Sequence, residues 1–107
     1  MATQLGISDQ DGRICIGLSD APNDYLMWQF IPQEQGQIYF EYDDQVNGGY
    51  NIATEITVMH DGIHILLASG KLIHFYFDGF SKSKYDDLVQ ALQRIYHQNQ
   101  SVLEVLD

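Results

Sequence analysis

The chain has 107 residues, is 45% hydrophobic and 12% aromatic, and carries a formal net charge of −10. That length and apolar content predict a single folded domain over residues 1–107 rather than an acidic disordered tail. The charge argues against nucleic acid as a direct partner, since phosphate binding rests on Lys and Arg, and against anionic membrane surfaces.

Six stretches alternate apolar and polar residues between turn formers and so predict strands. Arg13–Leu18 follows an Asp11-Gly12 turn and is placed to pair with Gln4–Ser8. Leu26–Ile31 ends at Pro32. Gln37–Tyr42 puts Ile38, Phe40 and Tyr42 on one face and Tyr39 and Glu41 on the other. Ala53–His60, Gly62–Ala68 and Lys71–Asp78 form a meander, with tight turns predicted at Asp61-Gly62 and Ser69-Gly70. Asn47-Gly48-Gly49 predicts a flexible turn before it.

One helix is predicted over Lys84–Tyr96, with Ser83 as N-cap and Asp86 three residues on. Its stripe of Tyr85, Leu88, Val89, Leu92, Ile95 and Tyr96 recurs at helical spacing. The tail Ser101–Asp107 suits a short strand or a helical turn. The expected fold class is α+β: an antiparallel, curled meander sheet of about six strands with one C-terminal helix packed on it.

If both meander turns are two-residue hairpins, Ile56, Val58, His60, Ile63, Ile65, Leu67, Leu72, His74 and Tyr76 share one face. Glu55, Thr57, Met59, His64, Leu66, Ile73, Phe75 and Phe77 share the other. Both faces are apolar, and one helix covers only one of them. The second requires an early strand folded across it, with Trp28 and Phe30, or an interface including some of Met59, Leu66, Phe75 and Phe77.

Charge is distributed unevenly. Residues 1–62 hold ten acids and one base, a formal charge of −9, and no Lys or Arg lies between Arg13 and Lys71. Such a half suits either solubility or a basic protein partner drawn in by the field. The segment Tyr39–Tyr50 interleaves acids with aromatics, which suits an interface and equally suits an edge strand guarded by charge.

Evidence for catalysis is sparse. Cys15 is the only cysteine; it reads as a small core residue, and it allows no intrachain disulfide. No Gly-x-Ser-x-Gly and no glycine-rich phosphate loop leads into a helix. His60 and His74, with Asp78 further along the same predicted face, are the one arrangement to weigh as metal ligands. Ile63 and Ile65 lie among them and spacing fixes no third ligand, so rim or packing histidines are preferred. The expectation is no enzyme, no cofactor and no metal. The N-terminal residues lack the basic segment and apolar run of a signal peptide, and no apolar stretch reaches membrane-span length, which predicts a cytoplasmic protein.

The pattern Tyr-x-Glu-x-Asp-Asp-Gln at Tyr39–Gln45, then Asn47-Gly48-Gly49-Tyr50, Glu55-Ile56 and Asp61-Gly62, resembles family ten of the immunity proteins of bacterial polymorphic toxin systems, of the contact-dependent inhibition type. Phe75-Tyr76-Phe77 and a helix bearing Leu88, Leu92, Ile95 and Tyr96 are similar too, so the resemblance covers roughly Tyr39–Tyr96. It implies a small cytoplasmic antidote that binds a cognate toxin domain and blocks it without chemistry of its own. The toxin it implies is basic, with nucleases among the candidates. Glu41, Asp43, Asp44 and Gln45 match the motif; Tyr42 and Tyr50 join them as interface aromatics, and Asp20 and Asp24 are further acidic candidates elsewhere in the chain. The alternative is a homodimeric interaction module or small-ligand-binding domain using the second apolar sheet face.

Overall fold

The computed structural model describes residues 4–20, 24–32, 37–77 and 80–106. The first sheet is antiparallel and ordered β1-β2-β3-β4-β5, from β1 (Gln4–Gln10), β2 (Arg13–Asp20), β3 (Asp24–Phe30), β4 (Ile38–Tyr42) and β5 (Asp44–Tyr50). The β1–β2 hairpin turns at Asp11 and Gly12, with φ of 55° and 82°. Two successive positive φ values are what a two-residue turn between right-twisted strands requires. Alternation then points Ile14, Ile16, Leu18, Leu26, Trp28, Ile38 and Phe40 inward, all buried. Cys15 alternates out: it lies half-buried on the outer face, in register with Ser8 and Gln29. It is not a core residue.

The second sheet is ordered β8-β7-β6-β9, from β6 (Ala53–Met59), β7 (Gly62–Leu67), β8 (Leu72–Tyr76) and β9 (Leu103–Val105), with β9 parallel to β6. Its two hairpins show how differently register slips behave. The β6–β7 turn falls at His60-Asp61, pairing Val58 with Ile63. That moves β7 by two residues relative to an Asp61-Gly62 hairpin and leaves every face as expected.

The β7–β8 loop instead holds three residues, closed by Leu67 N–H to Lys71 O at 2.8 Å and Gly70 N–H to Leu67 O at 2.9 Å. His64 therefore opposes His74, and Ile65 opposes Ile73. A one-residue slip exchanges the faces of a strand, so Ile73 and Phe75 turn inward while Leu72, His74 and Tyr76 turn out. The expected sharing of a face by His60 and His74 is thereby overturned: His60 sits in a turn and His74 pairs with His64. Asp78, the third member of that arrangement and the expected end of the strand, lies outside the described residues. The expected apolar set is also divided, because Phe77 is buried and Phe75 half-buried, whereas Met59 and Leu66 remain on the outer face.

The helix α1 spans Lys82–Ile95 and begins two residues earlier than the sequence suggests. Ser81, not Ser83, is the N-cap, its hydroxyl accepting from Lys84 N–H at 3.2 Å. Asp86 faces Lys82 at 3.6 Å rather than closing a capping box. Leu88, Ala91, Leu92 and Ile95 form its buried stripe. The tail supplies both expected elements, a 3-10 turn at Gln100–Val102 followed by β9.

Buried residues of both sheets and of the helix form one core cluster. Trp28 is fully buried against Phe40, ring centroids 5.1 Å apart. An early strand does fold across the meander, but over the Ile56, Val58, Ile63 and Ile65 face; the Met59 and Leu66 face, over which the sequence placed it, stays outward. Tyr96 closes the helix within this core; burial raises its hydroxyl pKa, and the Trp28 indole N–H nearby opposes that rise without reaching hydrogen-bond geometry.

Candidate functional site

The topology gathers four of the predicted contact residues, Asp20, Asp24, Asp43 and Asp44, at one end of the first sheet. Asp20 closes β2 in register with Asp24, which opens β3. Asp43 turns the chain between β4 and β5, where Tyr42 pairs with Asp44. Its φ is 60°, a left-handed conformation that Asp tolerates better than most residues. Asp43 N–H donates to Tyr25 O at 3.1 Å, and Tyr25 N–H donates to Asp43 Oδ1 at 3.0 Å. The Asp43 carboxylate thus extends the strand ladder beside Asp24.

Asp44 Oδ1 accepts from Val46 N–H at 3.2 Å, and Asn47 Nδ2 donates to Tyr42 O at 3.0 Å. These bonds support a bulged β5, so Asn47-Gly48-Gly49 is irregular strand rather than the predicted turn. Gln45 lies within this bulged stretch.

The motif's two kinds of carboxylate have separate fates. Asp24, Asp43 and Asp44 are exposed, whereas Glu41 is only 8% exposed on the outer face of the sheet. Tyr39 Oη donates to Glu41 Oε1 at 2.7 Å, and Tyr25 Oη donates to Oε2. The hydrogen bond to Glu41, followed by desolvation and then the negative charge of Glu41 and Asp44, pushes the Tyr25 phenol from 10.0 up to about 12. Tyr39 is raised in the same way, chiefly by its own hydrogen bond to Glu41. Tyr39 meets the exposed Tyr50 edge-on at 5.5 Å. Of the predicted contact residues, Glu41 is therefore committed to an internal network, and Tyr50 belongs to the tyrosine row beside it.

Tyr25 and Tyr39 are the network's donors, absent from the predicted site. Tyr39 was legible as the i−2 neighbour of Glu41 on one strand face. Tyr25 required the β3–β4 register. Beside Tyr25 the outer face hollows into a cleft of about 390 Å³ where Gly6 opposes Gly17 and Met27 forms part of the wall. A Cβ at either glycine would meet nothing within 4 Å.

Basic groups are placed elsewhere or engaged. Arg13 lies at the opposite end of β2, in register with Gln10. Arg94 on the helix pairs with Asp9. Lys71 is the base beside the acidic end, its Nζ 4.8 Å from the centroid of the Tyr42 ring. Asp24, Tyr42, Asp43, Lys71 and His74 line a shallow cleft of about 210 Å³ between that end and β8.

Among the described residues no three His, Cys, Asp or Glu side chains converge to hold a metal, and no helix is long and apolar enough to cross a membrane. Comparison with family models, with curated proteins and with solved structures finds no match.

Proposed function

We propose that the chain is a non-enzymatic immunity protein that binds a cognate toxin domain in the cytoplasm and neutralises it by occlusion. The observation that carries this reading is the convergence of Asp20, Asp24, Asp43 and Asp44 at one end of the first sheet. Two chain reversals far apart in sequence bring these acids together, in a stretch free of Lys and Arg from Ile14 to Gly70. Like charges crowded at one edge oppose folding and favour a basic partner. The resemblance of Tyr39–Tyr96 to the immunity family points the same way.

Within this reading the residues divide. Asp24 and Asp44, with Asp20, steer the partner; Tyr42 and Tyr50 supply contact area; Glu41 and the Asp43 side chain hold the turn in shape. The partner is a basic protein domain, a nuclease being one class with such a cleft. The test is co-expression with the product of the reading frame immediately upstream in the genome. Growth arrest by that product, relieved by this chain and not by its Asp24→Lys/Asp44→Lys variant, is the expected outcome. A product that is harmless alone, or that forms no complex with the chain, contradicts the proposal.

A further inference from the structure

The outer face of the second sheet has no role in that reading, and its chemistry is different. His64 and His74 are direct cross-strand partners on it, ring centroids 4.2 Å apart and ring planes at 63°. Lys71 O accepts from Leu67 N–H at the end of β7, and Phe77 N–H donates to Asp61 O, the residue just before β7. By the alternation of an antiparallel ladder, His64 and His74 therefore form a non-hydrogen-bonded pair, the kind that brings side chains closest. Two imidazoles so placed can share one divalent ion at about 2.0–2.1 Å from each nitrogen.

Apolar side chains surround the pair. Leu72 is 51% and Tyr76 49% exposed, and Leu66 and Met59 are half-buried on the same face. Tyr76 lies across from Gly62, where an added Cβ would come within 2.9 Å of Phe75 O and 3.2 Å of the Tyr76 ring. The absence of a side chain at Gly62 thus seats the tyrosine beside His64, 6.4 Å away ring to ring. The acids of this face, Glu55 and Glu104, stand on β6 and β9, with Thr57 between His64 and Glu104 in the pairing order.

We infer that His64 and His74 are one half of a zinc site, completed by the same two residues of a second copy packed face to face across a two-fold axis. Zinc in a closed site takes four ligands in a tetrahedron, and each chain supplies two, with no third candidate among the described residues. A two-fold axis through the ion doubles the pair, and the isologous contact it creates covers Leu72 and Tyr76 on both copies. Nitrogen ligands suit zinc, and an apolar surround excludes competing water. This inference does not rest on the immunity reading: its ligands belong to the second sheet, although His74 also borders the cleft lined by Asp24 and Asp43, and its readout needs no toxin.

Sedimentation velocity of the full chain, in EDTA and then in zinc chloride, tests it. The expected result is a monomer in EDTA and a dimer in zinc, holding about one ion per two chains as four-ligand coordination requires. His64→Ala and His74→Ala each abolish the zinc-dependent dimer, while a His60→Ala/His97→Ala variant keeps it. His74→Gln, which retains a polar side chain, shows the same loss with an unchanged circular dichroism spectrum. A mass indifferent to zinc, one ion bound per chain without dimerisation, or a dimer that survives both single substitutions would overturn the shared site.

Discussion

The outer faces of the two sheets are made by the same two-residue alternation and end in opposite chemistry. On the first, Tyr25 and Tyr39 donate to a nearly buried Glu41, and exposed aspartates crowd the sheet's end. On the second, the His64–His74 ring pair sits among half-exposed Leu72 and Tyr76. A carboxylate with two hydroxyl donors is already satisfied, so the first face offers shape and field rather than reactivity. The second presents apolar area and two adjacent imidazole rings, which suit a metal shared with a symmetric copy. Shared packing behind them makes the two faces depend on one core.

The largest effect comes from breaking that dependence. Trp28→Ala removes a fully buried indole packed on Phe40 between the sheets, and is expected to cost about 3–5 kcal/mol. Urea unfolding monitored from both sheets should show one lowered transition. Loss of structure in the first sheet alone would mean that the second is stable without it.

A smaller change separates the faces. Glu41→Ala removes the acceptor shared by the Tyr25 and Tyr39 hydroxyls and is expected to destabilise less than Trp28→Ala, because water can take its place. Tyrosine absorbance during an alkaline titration provides the matching readout. The Tyr25 phenol, at about 12 against 10.0, favours the folded state while it is protonated. Its contribution is complete below pH 10.0 and is lost as pH rises through about 12. In Glu41→Ala that late-titrating phenol should move back towards 10.0; a titration identical to the unsubstituted protein would show that Glu41 is not the cause.

Much of this arrangement was visible in the sequence, and the reasons for the exceptions are physical. Ile38, Phe40 and Tyr42 against Tyr39 and Glu41 is strict alternation, and the strand obeys it. The Asp11-Gly12 turn followed from residues that accept positive φ. Loop length in the meander did not, because Ser69-Gly70 is compatible with both two- and three-residue connections. That single ambiguity decided whether His74 would face His60 or His64. An acidic turn after Tyr42 was legible, but the partner that holds it was not: the Asp43 carboxylate accepts from the Tyr25 backbone, 18 residues away in sequence. The convergence of Asp20 and Asp24 with Asp43 and Asp44 likewise appears only once β3 and β4 are paired.

The β7–β8 loop can be tested by itself. Gly70 has φ 93°, a conformation that penalises an L side chain, and Gly70→Ala is expected to cost about 1–2 kcal/mol. Thermal unfolding measures that cost, and amide exchange in β8 reports whether register survives. An unaffected melting temperature would indicate that another loop geometry serves equally well and that the faces of β8 are less firmly fixed.

The finest comparison concerns single surface charges, each worth about 0.2–1 kcal/mol when exposed. Asp24→Lys/Asp44→Lys spares the Asp43 bond to Tyr25 but removes the Asp44 acceptor of Val46 N–H, so Asp24→Lys alone is the matched change of field that leaves the turn intact. Stopped-flow association with the purified upstream-encoded domain, across a range of ionic strength, is the decisive measurement. Association is expected to be slower and less dependent on salt than for the unsubstituted chain, with dissociation much less affected. Association that is unchanged in rate and salt slope, yet slowed by His74→Ala or Leu72→Ala, would place the partner on the second sheet and contradict the acidic end as the binding site.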